Sequence, residues 1–409
     1  MDTQSKIAFI FSQFPCYDET FILREMNQLK AAGLDFVIYS LKSAHDKIVH
    51  DEAEELSGDT AYLPFVSPKI ILINLYFLLR HPWRYLSSLA KVFAGNLKSS
   101  NFLIKTLAVW PKAVGFAWTA RRQKITHVHG QWATYPAGVA MIISRLNGIP
   151  FSFTGHAHDI YLDTTMLAEK IAAARFVLTC TEDNKRHLLA LSNGKLLGED
   201  SRDKIIVSYH GVDLPRFKKP CTTYEVVQRI NILSVGSLLE CKGFEHLIEA
   251  CRLLRDRGVD FRCTIAGGGP LEESLHRQIA ESRLEDTVKL TGFITQDKLI
   301  PLYHQADIFI LPMVPGIHWG IPNVLIEAMA ASLPVLCTLL PSIPELIREG
   351  ETGFIIPPQD PVAIAGMIVR LRGDEPLRRR VAEAGRRLVE EKFNAAPNAI
   401  RLMGMFLSA

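Results

Sequence analysis

The sequence predicts an α/β protein made of two doubly wound parallel-sheet domains. Three observations carry that reading. At 409 residues the chain is long enough for two or three domains of ordinary size. Short, β-rich apolar runs alternate with longer amphipathic stretches from Ile7 onward. The alternation pauses at Pro220–Val227 and restarts with Ile230–Val235, which divides the chain into residues 1–220, 221–390 and a tail, 391–409.

The first half opens as strand Ile7–Ser12, loop QFPCYDET, helix Thr20–Ala32 and a second strand, DFVIYSL, after Gly33. This βαβ unit carries no G-x-G-x-x-G, so it gives no dinucleotide-binding signal. Lys69–Lys124 is different in kind: ten Lys and Arg, no Asp or Glu, and interleaved aromatics from Tyr76 to Trp118. It reads as about two helical hairpins. Two readings stand: a basic aromatic surface for an anionic membrane, or a helical cap whose apolar side packs on the sheet. The alternation resumes with strand Thr126–Gly130, helix Ala137–Leu146, and IPFSFTG running into HAHDIY. FVLTC, a helix near Thr181–Glu182, and IIVSYHGVD complete this half.

The second half reads as strand Ile230–Val235, helix Phe244–Arg257, strand Phe261–Ala266, loop GGGP, helix Leu271–Ser282, strand Val288–Thr291 and helix Thr295–Gln305. Strand Ala306–Leu311 then leads through a Pro- and Gly-rich loop to a helix opening near Pro322, where proline's fixed φ suits a first turn. Strand LPVLCT follows that helix, and Pro376–Ala409 reads as helical. Two such halves imply a cleft lined by the loops at the carboxyl edges of both sheets.

Composition excludes several classes. Hydrophobic residues make up 48% and charged residues 22%, with a net charge of +3, too small to argue for nucleic acid. Seven cysteines, with no C-x-x-C pairing, read as reduced thiols rather than a disulfide framework or zinc site. Met1–Lys6 is polar and no apolar run approaches the ~20 residues of a spanning helix. The expected location is therefore cytoplasmic, with any membrane contact peripheral, on the inner face.

The chemistry concentrates at strand ends. A strand, a loop and the helix from Asn323 place backbone N–H groups at a sheet's carboxyl edge, where phosphates bind. Glu327, one turn further on, leans back toward that N-terminus and suits the hydroxyls of a ribose diol. A helix-start glutamate favoured by the macrodipole is the plainer alternative. His156 and His158 fall at the carboxyl end of a strand. Their i, i+2 spacing on a strand sends the rings to opposite faces, which argues against a shared metal even with Asp159 beside them. A core or loop histidine and a substrate-facing His156 both remain open.

The chain resembles the glycosyltransferase family 4 enzymes of the GT-B fold, particularly bacterial polysaccharide-assembly members. The resemblance covers essentially the whole chain and is carried by FPCYDETFI (Phe14–Ile22), FTGHAHDIY (Phe153–Tyr161), SVGSLLECKGFEHLIEA (Ser234–Ala250), AGGGPLEESL (Ala266–Leu275) and GIPNVLIEAMA (Gly320–Ala330). It implies sugar transfer from a nucleotide diphosphate sugar with retention, the donor on the C-terminal half and a lipid-linked or glycan acceptor on the N-terminal half. It also implies that the tail 391–409 packs back on the first domain.

By the same resemblance, Lys242 neutralises the donor diphosphate, Glu327 holds the ribose, and the amides of Asn323 and Val324 meet the phosphates. Gly236, Ser237 and Gly320 line the donor site. Phe293 and Ile294 hold the base, His156 faces the donor sugar, and Glu19, Thr20, His158 and Asp159 form the acceptor-side loops. No D-x-D occurs, so neither a metal nor a cofactor is expected. Two positions depart from the pattern. Ser237 stands where many members have arginine, and Trp319 stands where the first acid of E-x7-E falls, with His318 beside it. An indole accepts no hydrogen bonds, so Trp319 either stacks on the sugar or marks a weakly active or inactive nucleotide-sugar-binding partner of an assembly complex. A GT-B-shaped sugar epimerase fits less well, because Trp319 removes a carboxylate from the site.

Overall fold

The computed structural model describes residues 5–16, 20–43, 56, 58–97, 99–162, 164–191, 201–219, 228–316 and 320–408. The chain forms two compact units, Met1–His210 with Ala395–Ala409, and Gly211–Asn394.

The first unit is built on seven parallel strands: β1 (Ile7–Gln13), β2 (Phe36–Lys42), β3 (Thr60–Tyr62), β4 (His127–Gln131), β5 (Phe151–Gly155), β6 (Val177–Thr179) and β7 (Ile205–Val207). Their order is β3-β2-β1-β4-β5-β6-β7. The middle strands are buried along their length, as unbroken apolar runs such as Ile7–Phe11 require when helices cover both faces. Strand order reverses between β1 and β4, so loops leaving these two strands splay to opposite sides and open a crevice at their carboxyl ends. Helix Ala395–Leu407 belongs to this unit. Ala399, Leu402 and Phe406 enter a core with Phe9, Phe36 and Ile38, and the Phe406 and Phe9 rings meet edge-on at 5.3 Å.

The second unit repeats the plan with six parallel strands: β8 (Ile230–Val235), β9 (Phe261–Ala266), β10 (Val288–Leu290), β11 (Ile308–Leu311), β12 (Val335–Thr338) and β13 (Phe354–Ile356). Their order is β10-β9-β8-β11-β12-β13, with the reversal between β8 and β11. Both halves are therefore the doubly wound sheets that the alternation predicts. The elements that escaped the sequence reading include β3, β13 and the helices Leu167–Ala173 and Pro361–Gly373. Strands of three residues are too short to show a period.

One expectation is corrected here. The Lys69–Lys124 segment is three helices, Pro68–Arg80, Pro82–Asn96 and Ser100–Arg122, rather than two hairpins. Its residues also divide sharply. Phe77 and Phe116 are fully buried, and Lys112 is 3% exposed, donating to the Leu41 carbonyl and lying over the Phe65 ring. Burial pushes the Lys112 ammonium down to about 8. By contrast Trp83 is 84% exposed and Leu79 72%, with Leu72 and Ile104 similarly bare. The tail is two helices, Glu375–Lys392 and Ala395–Leu407, and they belong to different units. Among the described residues no helix is long and apolar enough to cross a membrane.

Candidate functional site

In the second unit the site grows from the β8–β11 reversal. After β8 the chain runs through Gly236 and the exposed Ser237 into a 3-10 turn, Glu240–Lys242, and then helix Phe244–Asp256. Glycines let three loops touch backbone to backbone. Gly267 holds φ +152, and a Cβ there would meet the Gly236 carbonyl oxygen at 1.9 Å. Gly243, at φ +67, lies just as close to the Pro312 carbonyl. Hydrogen bonds stitch the same loops: Gly236 N–H to Ala266 O at 3.0 Å, Leu238 N–H to Gly268 O at 3.1 Å, and Val314 N–H to Cys241 O at 3.0 Å. The rim is therefore a fixed frame.

Lys242 leaves this frame half-buried, beside Cys241 and the buried Cys337 of β12. Burial lowers its ammonium from the ordinary value, and those two thiols oppose the shift. Burial pushes the Cys337 thiol up to about 12, so it stays neutral there.

Helix Asn323–Ala330 begins after Pro322, and Leu325 through Ala330 are all buried. Its first N–H groups have no partners further back in the helix, at the carboxyl edge of β11. Glu327 is 6% exposed. Its Oε2 accepts from the Tyr303 hydroxyl at 3.1 Å and its Oε1 from Gln296 Nε2 at 3.2 Å. The macrodipole alternative assigns no such partners; the carboxylate is built into a network. Tyr303 and Gln296 were not singled out from the sequence, although they sit seven residues apart on one face of helix Gln296–Gln305.

Phe293 and Ile294 follow β10 at the same edge. Phe293 is 50% exposed, and its backbone lies against Gly268, with Gly267 N–H donating to Gly292 O at 3.1 Å. Gly320, Asn323 and Val324 are half-buried at the entry to the helix. Trp319 and His318 lie outside the described residues. Beside the Lys242 turn, a pocket of about 980 Å³ is lined by Leu239, Cys241, Glu245, Ser274, Val314 and Gly316.

In the first unit, β5 ends at Gly155, so His156 and His158 are not on a strand. His156 caps the five-residue helix Ala157–Tyr161 and His158 is its exposed second residue. The alternation argument therefore does not apply to them; His156 is buried and His158 exposed. Asp159, expected on an acceptor-side loop, turns inward at 3% exposure. Its Oδ1 accepts the His156 N–H at 2.7 Å and its Oδ2 the Ala133 N–H. Burial pushes this carboxyl up to about 7 against those hydrogen bonds. Lys170, 6% exposed, donates to the carbonyls of Ala133 (2.7 Å) and Thr134 (3.1 Å). Asp159 and Lys170 thus fasten the loop after β4. Glu19 lies outside the described residues, as does the side chain of Thr20.

That loop presents Trp132, whose ring lies 4.3 Å from His156. Phe21 meets His156 at 5.5 Å and His210 at 4.5 Å. Burial lowers His156 well below the ordinary imidazole value, with His210 and His129 adding to it. The sequence reading missed Trp132 and His210. Their signal was positional: HGQW and SYHG both sit at the carboxyl ends of strands. Beneath them, His127 and His129 share the Ser152 hydroxyl at 2.7 Å each, His129 reaches Gln131 at 3.2 Å, and Gln131 donates to Glu25 at 3.4 Å.

Comparison with known proteins places this architecture. Residues 225–388 match the family described as glycosyl transferases group 1. The chain is 39% identical over 204 residues to a protein of Escherichia coli (strain K12) named as a colanic acid biosynthesis glycosyltransferase, WcaL, covering 47% of this chain and 48% of that one. It is 40% identical over 195 residues to the amylovoran biosynthesis glycosyltransferase AmsK of Erwinia amylovora, again 47% and 48%. The matches span about half the length of these curated relatives. Across nearly the whole chain the fold is shared with solved structures. Anabaena Alr3699/HepE in complex with UDP aligns with TM-score 0.74 at 14% identity, covering 99% of this chain and all of that one. A glycosyltransferase from Rickettsia africae ESF-5 gives 0.72 at 18%, covering 99% and 98%. Residues 225–388 are therefore similar to the group 1 glycosyl transferases, within a chain that shares the two-sheet fold of solved GT-B glycosyltransferases.

Proposed function

We propose that this protein is a retaining glycosyltransferase that moves a sugar from a nucleotide diphosphate sugar to a lipid-linked or glycan acceptor in exopolysaccharide or cell-surface polysaccharide synthesis. One observation carries the reading: Glu327, clamped by Tyr303 and Gln296, stands one turn inside a helix whose N-terminus sits at the β8–β11 reversal. A fixed carboxylate there accepts from a ribose diol, while the helix N–H groups meet the diphosphate. Lys242, from the neighbouring loop, supplies the cation. Stabilising the departing diphosphate is the main electrostatic work of such a site, done by groups already in place. Neither a side-chain nucleophile nor a metal is required. The relatives' names and the UDP held by Alr3699/HepE support this choice of donor and pathway class.

The protein works on the cytoplasmic face of the membrane, where helices Pro68–Arg80 and Pro82–Asn96 dock on anionic lipid. Their support is the run of exposed Leu72, Leu79 and Trp83 among Lys69, Arg80 and Arg84, with no acid from residue 60 to 158.

The test is a panel of nucleotide sugars assayed for nucleoside diphosphate release, with and without a membrane lipid extract and with and without EDTA. Release that needs the extract, survives EDTA and falls in Lys242→Ala is expected. Losing a charge-assisted phosphate contact weakens nucleotide binding by about 1.5–3 kcal/mol. Unchanged affinity in that variant removes Lys242 from the site. Nucleotide binding without release from any donor returns the chain to a binding partner.

A further inference from the structure

His156 and His210 lie ring on ring, with centroids 5.2 Å apart and planes 11° from parallel. Among the described residues, none of their four buried ring nitrogens has a hydrogen-bond partner. Buried polar atoms in a native fold find partners, and four orphans in one stack call for a ligand or water. Burial keeps the cation off both rings, with Arg24 acting against it at His210. Each ring is then a neutral imidazole, one nitrogen donating and one accepting. A group that donates and accepts without charge, such as a hydroxyl, answers both.

The walls are aromatic. Trp132 covers His156, and Phe21 borders both histidines. Trp132 holds φ +91, a backbone value costly for a bulky residue. Its N–H donates to Thr154 O at 3.2 Å, and Asp159 and Lys170 fix the next two residues. The fold therefore spends strain to place this indole beside the His156 ring.

We propose that His156, His210 and Trp132 form a saccharide subsite in the first unit, where the two imidazoles bind hydroxyls of one acceptor sugar ring and the indole packs on its apolar face. This rests on the glycosyltransferase reading, adds His210 and Trp132 to it, and assigns His156 to the acceptor rather than to the donor sugar that the resemblance implies.

The test uses the full chain labelled with ¹⁵N at the histidine rings, assigned through His156→Gln and His210→Gln. The probes are the methyl α-glycosides of glucose, galactose and mannose, with sodium phosphate as the anionic control. At least one glycoside is expected to shift both imidazoles, and phosphate neither. His210→Phe keeps the stack but loses both nitrogens, so it should abolish the glycoside shift at His156. His210→Gln should keep part of it. In turnover assays His210→Phe should raise the acceptor KM by about tenfold or more, the loss of a hydrogen-bonding group, with the donor KM unchanged. The subsite is overturned if no glycoside moves either ring, if phosphate moves both, or if His210→Phe leaves the His156 response intact. Nucleoside diphosphate binding and its loss in Lys242→Ala judge the donor reading separately, so the two can fail independently. If His210→Phe does not fold, the wild-type titration and His210→Gln decide.

Discussion

The Tyr303 hydroxyl donates to Glu327 Oε2 at 3.1 Å from a fully buried ring, and so decides which way a buried carboxylate points. Removing that hydroxyl leaves the charge in place with one donor fewer. Tyr303→Phe should weaken nucleoside diphosphate binding by about 0.5–1.5 kcal/mol, the net worth of one hydrogen bond. It should weaken inorganic pyrophosphate binding much less, because the ribose contact is what it disturbs. Calorimetry with both ligands separates the two. Equal losses would detach Glu327 from the ribose.

Gly267 is the point where the loops after β8 and β9 touch. Gly267→Ala sets a methyl against the Gly236 carbonyl and demands φ +152 of a residue with a Cβ. A destabilisation of about 1–3 kcal/mol is expected from overpacking, with nucleotide binding weakened because Lys242 is carried by the same frame. Gly366, where a Cβ meets nothing within 4 Å, is the control. Chemical denaturation of both alanine variants checks it.

Glu25 bears on acid stability. Burial pushes its carboxyl up to about 7, partly opposed by Gln131. A folded-state value above the unfolded one of 4.5 means the folded chain binds this proton more tightly. Its contribution to stability is therefore present at low pH and lost as pH rises from about 4.5 to about 7. His127, His129 and His210, held low by burial, act in the opposite direction below their ordinary 6.5. The difference between Glu25→Gln and wild type isolates the glutamate. The variant should gain relative stability steadily between pH 4.5 and 7. A flat difference would place Glu25 in water.

The exposed faces of the helices from Pro68 to Asn96 predict binding to anionic vesicles that salt weakens. Trp83→Ser together with Leu79→Ser should reduce flotation strongly, since about 1.5–3 kcal/mol accompanies burial of one large apolar side chain. Lys112→Gln should leave flotation unchanged, because that amine is inside the protein. Flotation that is equal on neutral and anionic vesicles would refute the electrostatic part.

The two α/β halves, most of their strands and the helix after Gly320 follow from local pattern, because apolar periodicity and proline and glycine placement act over a few residues. Glu327 could be aimed from sequence for the same reason: helix geometry alone sends its side chain back toward Asn323. What holds it there could not, since Tyr303 and Gln296 lie 24 and 31 residues away on another helix. The inward turn of Asp159 depends on a loop 26 residues earlier, and the burial of Lys112 on a carbonyl 71 residues earlier. Charge and spacing read alike for an exposed lysine and one folded under a strand; only packing separates them. The imidazole stack of His156 on His210 belongs to the same class. Each histidine follows its own strand, β5 or β7, and nothing local to either says that the sheet brings the two rings together.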